Sequence, residues 1–238
     1  MELTAYRGLV DQRKNCKKCQ NYGLCDDLGL SHSNGNLYQV ETALRGHFSI
    51  DSLGLWNPAN NSNPLTASVI IIGQDFSNVG YFKNVNRLSQ IDQMELENNT
   101  NKKLLSYIEL SGIKINEIYF TNAILCIKGG SMNAPIKKAW INNCSNHFLK
   151  PLIIEHLVNL KSIIALGKVA SDAIRAISNF SEENRFSLLA GNPYNIIVGD
   201  KQLKFYPMFH TGNLGAVNAS KAKKKPEDLW KSINSILE

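Results

Sequence analysis

The stretch ASVIIIGQDFSNVGYF, residues 67–82, decides the fold. Val69 to Ile72 is an unbroken β-branched run, too short for an amphipathic helix and typical of a parallel strand covered on both faces. Gly73, Gln74 and Asp75 follow at once, so a carboxamide and a carboxylate stand where the chain must leave the sheet. Three further segments read as strands: EIYFTNAIL (117–125), SIIALG from Ser162 and LKFYPMFH from Leu203. Between them the spacing turns helical. Leu104, Leu105, Ile108 and Leu110 make one apolar face that stops at Gly112, and Ile136, Trp140, Ile141, Cys144 and Phe148 make a second, which Pro151 bends or interrupts. KVASDAIRAI (168–177) and PEDLWKSINSIL (226–237) complete the pattern, the latter with Pro226 at a permitted first-turn position.

Strands alternating with helices predict an α/β protein: one domain over 1–238, a three-layer α/β/α sandwich around a central, mainly parallel four-stranded sheet. The Asn-rich stretch 31–64 reads as an extended surface loop, with a short helix around Tyr38 to Arg45. In such a sheet ligands sit beyond the carboxyl ends of the strands. Gln74 and Asp75 follow the first strand, Asn122 ends the second and His210 the fourth, so an acid, two amides and an imidazole are expected around one crevice. Singly, Asp75 suits a turn cap, Asn122 a loop tie and His210 a core histidine; their coincidence at strand ends is what favours a site.

Composition narrows the functional classes. The chain has 238 residues, 43% of them hydrophobic, enough to bury a sizeable core. No run reaches the roughly 18 apolar residues that a membrane helix needs. The first residues lack the layout of a signal peptide, so a cytoplasmic location, without a membrane, is the expectation. The formal charge is +6, and Lys221, Lys223, Lys224 and Lys225 cluster near the C-terminus. Such a run is either a solvated face or a contact for an anionic partner such as DNA. No G-x-G-x-x-G or Walker loop follows a strand, which disfavours a nucleotide-binding α/β protein.

Five cysteines, an odd number, argue against a disulfide framework and toward metal or redox chemistry. Cys16 and Cys19 form a C-x2-C pair, Cys25 lies just beyond, and Cys126 and Cys144 come about a hundred residues later. Four thiolates suit tetrahedral zinc or an iron-sulfur cluster equally, and buried free thiols are the alternative.

At these residues the chain resembles the uracil-DNA glycosylase superfamily. IIIGQDFS looks like the first motif of the family-1 enzymes, which implies that Asp75 orients the attacking water and Gln74 contributes to the pocket. YFTNAILCIK resembles the family-4 pattern, implying that Asn122 reads the uracil edge and Cys126 ligates a cluster. ALGKVASDAI is similar to the Leu-Gly-x-x-Ala segment of the same enzymes, and HTGNLGAVN sits where the family has His-Pro-Ser and a wedge residue. The resemblance thus implies His210 as a catalytic residue beside Asp75. It also implies Leu214 as the wedge, with Thr211, Gly212, Lys223 and Lys224 at the DNA backbone. Cys16, Cys19, Cys126 and Cys144 fall on the family-4 frame for a [4Fe-4S] cluster, with zinc as the other occupant, and Cys25 is a spare thiol.

The chain departs from the family at two places. Phe76-Ser77 replaces Pro-Tyr after Gly-Gln-Asp, and Thr211-Gly212 replaces Pro-Ser. The ring that stacks on the base is assigned to Phe82, with Phe76 and Tyr81 as substitutes. The implied protein is a monomeric DNA glycosylase acting on uracil in DNA. The alternatives are a glycosylase for another deaminated or damaged base and an inactive iron-sulfur DNA-binding protein.

Overall fold

The computed structural model describes residues 3–14, 16, 18–19, 65–75, 99–126, 131, 134–182 and 185–237. The expected loop over 31–64, the aromatic residues Phe76, Tyr81 and Phe82, and Cys25 lie outside the described residues.

The β-branched run becomes strand β1 (Val69–Gly73), buried from Val69 to Ile72 as a parallel strand at the centre of a sheet must be. It is flanked by β2 (Ile118–Asn122) and β3 (Ser162–Leu166), and β5 (Lys201–Met208) pairs with β3, all parallel. The sheet has five strands in the order β2-β1-β3-β5-β4, one more than expected. The additional strand, β4 (Tyr194–Val198), runs antiparallel to β5 and closes the edge as a hairpin through Gly199 and Asp200. Its alternating burial, with Ile196 and Val198 inward and Asn195 and Ile197 outward, is that of a strand with one wet face. NPYNIIVGD contains only a short apolar run, which is why its periodicity alone did not announce a strand.

Side chains leave each strand alternately to the two faces. Val69 and Ile71 of β1 join Phe120, Ile164, Tyr206 and Met208 in a core covered by helices α2 (Asn99–Ser111) and α7 (Pro226–Leu237). Leu104 and Ile108 from α2 and Trp230 and Ile233 from α7 fill it. Ile70 and Ile72 point the other way, into a core with Tyr119, Ile163, Ala165 and Phe205. That face is covered by helix α3, beginning at Lys138–Cys144, and by α4 (Lys168–Arg175), with α1 (Leu3–Lys14) laid across it through Tyr6 and Leu9.

Pro151 does not end α3. The chain passes through two wide π turns, Ser145–Leu149 and Leu152–His156, with Pro151 between them. Proline has no N–H to give the ladder and its ring crowds the preceding turn; wide turns accommodate both. Trp140, Cys144, Phe148 and Ile153 remain buried. A short helix α5 (Phe186–Leu189) and a helix α6 (Asn213–Lys221) complete the fold. Among the described residues no helix is long and apolar enough to cross a membrane.

Candidate active site

β1 lies between β2 and β3, and the connections leave it in opposite directions, so the strand order reverses beside β1. That reversal opens a crevice at the carboxyl ends. Parallel registration carries the ends of β1 and β2 together: Gly73 pairs with Asn122, and beyond the sheet the N–H of Ala123 donates to the Gly73 carbonyl (2.9 Å) and that of Ile124 to the Gln74 carbonyl (3.0 Å). Gln74 and Asp75 are thereby fixed beside the end of β2. The Gln74 amide donates to the Asp75 carboxylate at 3.3 Å, holding one of its oxygens.

Asn122 is buried, and its Nδ2 has no hydrogen-bond partner among the described residues. A buried donor left open costs stability unless a ligand supplies the acceptor. Gly73 is what makes room for this amide, because a Cβ there would stand 2.4 Å from Asn122 Oδ1.

His210 follows β5, two strands from β1 across the end of β3. The Gly212 N–H donates to His210 Nδ1 at 2.9 Å. Nδ1 is therefore the acceptor, and in the neutral ring the proton sits on Nε2. Burial pushes the His210 pKa down and the Asp75 carboxylate pulls it back up in smaller measure. Two consequences follow: the ring is a neutral Nε2–H donor at physiological pH, and Asp75 and His210 share one electrostatic neighbourhood, as their positions after separate strands predict.

Helix α6 carries the wedge position with an inverted amphipathic pattern. Gly215 and Ala219 are buried, while Leu214 and Val217 stand 65% and 49% exposed. Gly215 has to be glycine: a Cβ would fall 1.7 Å from the His210 carbonyl oxygen, so α6 lies directly against the backbone of the histidine. Small residues face in and large apolar ones out, and the sequence carried no apolar stripe from which this helix could be read. Thr211, expected at a phosphate, has a buried side chain whose Oγ1 is without a partner among the described residues, and Gly212 spends its N–H on His210.

The lysine run divides. Lys223 is exposed and adopts a left-handed backbone (φ 55°) at the C-terminus of α6. There the N–H groups of Lys223 and Lys224 return to the carbonyls of Ser220 (2.9 Å) and Ala219 (3.0 Å), a Schellman arrangement. Lys224 turns inward, its ammonium 2.6 Å from the Ala190 carbonyl and 3.4 Å from that of Leu188, and burial lowers its pKa.

On the α1 side of the sheet, Cys16, Cys19, Cys126 and Cys144 line one pocket together with Arg13 and Asn143. Among the described residues no three His, Cys, Asp or Glu side chains are placed around a single-ion position. The four thiols come from three separate segments and line one pocket, and four cysteines are the donor type that zinc and iron-sulfur clusters use. Burial pushes the Cys144 thiol up to about 12, against the smaller downward pull of hydrogen bonding and Arg13. Burial also raises the Cys19 thiol, which receives an N–H from Asn143 at 3.3 Å. Next to this pocket, Tyr6, Arg13, Tyr119, Thr121 and Asn122 line a second cavity, with room for about one water molecule. Arg13 and Asn143 were not among the residues singled out from the sequence. The only trace of Arg13 there is its place three residues before Cys16.

The fold is a mainly parallel α/β sheet with helices on both faces, and Asp75, Asn122 and His210 all follow the carboxyl ends of parallel strands. Residues 60–236 match the Uracil DNA glycosylase superfamily, and the chain belongs to that family. Membership points to a DNA glycosylase. Cys126 and Cys144 fall inside the matched residues; Cys16 and Cys19 precede them. A search of curated proteins found no match.

Proposed function

We propose that this protein hydrolyses the N-glycosidic bond of uracil in DNA, leaving an abasic site, as part of base excision repair. What supports the reading is that Asp75, Asn122 and His210 follow the carboxyl ends of parallel strands, that the Asp75 charge reaches the His210 ring, and that the Gly212 N–H occupies His210 Nδ1 and leaves Nε2–H as the donor. A base inside a duplex is out of reach, so the nucleotide is flipped out and read by its hydrogen-bonding edge. The Asn122 carboxamide offers a donor and an acceptor, matching O4 and N3–H of uracil. Departure of the base leaves an oxocarbenium-like sugar and negative charge on the pyrimidine. Asp75 stabilises the cation and aligns water, and the His210 Nε2–H donates to O2 as charge grows there. A neutral imidazole suits this role, since it gives a directed donor without an added positive charge to desolvate. Leu214, exposed on the helix that Gly215 seats against the His210 backbone, is proposed to fill the vacated stack and offset part of a flipping cost of a few kcal/mol. Phe82 remains the proposed stacking ring.

Cys16, Cys19, Cys126 and Cys144 are proposed to hold a [4Fe-4S] cluster, or zinc on the same sulfurs. Such a centre supplies a structural clip between the N-terminal turn, the segment after β2 and α3. Broad absorption near 400 nm marks the cluster; a colourless, zinc-loaded protein marks the alternative.

The test is base release from oligonucleotides each carrying one modified base. Uracil is expected to be released, and Asp75→Asn and His210→Ala are each expected to slow release by on the order of 100-fold or more. Release of another base in preference to uracil transfers the same chemistry to that base. Binding without release from any member of the panel replaces the enzyme with a DNA-binding protein.

A further inference from the structure

Resting on the proposal that the four cysteines hold a metal, we propose that Arg13 and Asn143 are positioning residues for that centre, Arg13 offsetting its negative charge and Asn143 donating an N–H to its Cys19 sulfur. The charge argument is the same for either occupant. Four thiolates around Zn²⁺ carry a net −2, and four thiolates around a [4Fe-4S]²⁺ core also carry −2. Two negative charges held in a pocket lined by Leu125 and Phe148 lack the solvation that water would give them. Among the described residues that line the pocket, one guanidinium and one side-chain amide are there to replace it, Arg13 and Asn143.

Arg13 is only 6% exposed. It is the penultimate residue of α1, which Tyr6 and Leu9 anchor on the sheet face, so its position is fixed by packing and not by the cysteine turn. It lines both the cysteine pocket and the cavity that Asn122 helps to line. Asn143 acts from α3, next to Cys144. Its Nδ2 lies 3.3 Å from Cys19 Sγ and 3.3 Å from the Lys18 carbonyl, so one amide ties the C-x2-C turn to the helix that supplies another sulfur. Hydrogen bonds to sulfur and nearby charge are the protein's means of tuning a thiolate centre. The two residues approach from elements far apart in sequence, which is why no motif around the cysteines contains them both.

The experiment compares the full chain with Arg13→Met, Arg13→Lys and Asn143→Asp after reconstitution with iron and sulfide, or with zinc. Metal release to a competing chelator is followed by the loss of absorbance near 400 nm, or by a zinc indicator. Thermal midpoints of the metal-free forms are measured alongside. Arg13→Met and Asn143→Asp are expected to release metal on the order of 10–100-fold faster than the parent. Arg13→Lys, which keeps the charge, is expected to stay within a few-fold of the parent on the same scale. Asn143→Asp keeps the shape while exchanging a donor for a carboxylate beside the sulfur, so its effect reads electrostatics. Equal release rates in parent and variants overturn the proposal while leaving the metal site intact. Faster release matched by an equal loss of stability in the metal-free forms overturns it in favour of a packing role. A parent chain that takes up neither iron nor zinc removes the metal site itself, and the role of Arg13 and Asn143 with it.

Discussion

Gly73→Ala tests whether the Asn122 amide reads the base. The substitution adds one methyl group at the end of β1, where the backbone suits any residue, and strand propensity favours Ala over Gly. The new Cβ would lie 2.4 Å from Asn122 Oδ1, whereas carbon and oxygen in contact sit about 3.3 Å apart. The carboxamide therefore has to retreat by about 0.9 Å on this contact distance. A misplacement of about 1 Å in a catalytic constellation costs roughly 100-fold, or about 2.7 kcal/mol of transition-state stabilisation. Single-turnover release of uracil from an oligonucleotide measures it, with the thermal midpoint as a control for folding. The expected result is a roughly 100-fold slower release, accompanied by a loss of stability on the order of 1–3 kcal/mol from the buried contact that leaves the protein folded at the assay temperature. Parent-level release by Gly73→Ala, in a protein whose release also survives Asn122→Ala, would refute the reasoning and move base recognition elsewhere.

Four other outcomes are expected. Because burial lowers the His210 pKa below the ordinary 6.5, the neutral ring persists as pH falls. Activity should then be full above 6.5 and lost only as pH drops through the lowered value; a kcat/KM profile whose acid limb lies above 6.5 contradicts the neutral-donor role. The stability sign agrees, since His156 is also lowered by burial: both contribute stability that is present above 6.5 and lost as pH falls through the folded-state values, read by thermal unfolding across that window. Leu214→Ala removes apolar surface that is 65% exposed, so folding stability should change by less than about 0.5 kcal/mol. Release from duplex DNA should fall by roughly tenfold or more, and more than release from single strands; equal losses on both substrates remove the wedge. Lys223→Gly relieves a left-handed residue and should stabilise the fold by about 0.5–1 kcal/mol. The slope of DNA affinity against salt should shrink by about 0.9 if Lys223 meets a phosphate. Lys224→Met, by losing the carbonyls of Leu188 and Ala190, should destabilise by about 1 kcal/mol on chemical denaturation.

What the residues disclosed on their own depended on local pattern. Val69–Ile72 specifies a strand buried on both faces because β-branched runs of that length have little other use, and the helices at 99–111 and 226–237 follow from apolar spacing and their end signals. A polar residue immediately after a strand is legible as a site candidate because parallel sheets place ligands there, and Asp75, Asn122 and His210 are all found at that end. Elements without an internal pattern were silent. β4 is an edge strand with a short apolar run, and α1 and α6 carry no strong apolar stripe.

Only tertiary structure decided the finer chemistry, because it rests on contacts between residues distant in the chain or on the path of the backbone. The tautomer of His210 is set by the Gly212 N–H, and the opening of the Asn122 amide by the missing Cβ of Gly73. The inward turn of Lys224 is set by two carbonyls more than thirty residues away. Arg13 and Asn143 reach one thiol pocket from helices separated in the chain by β1 and β2, a juxtaposition that packing creates and spacing does not encode.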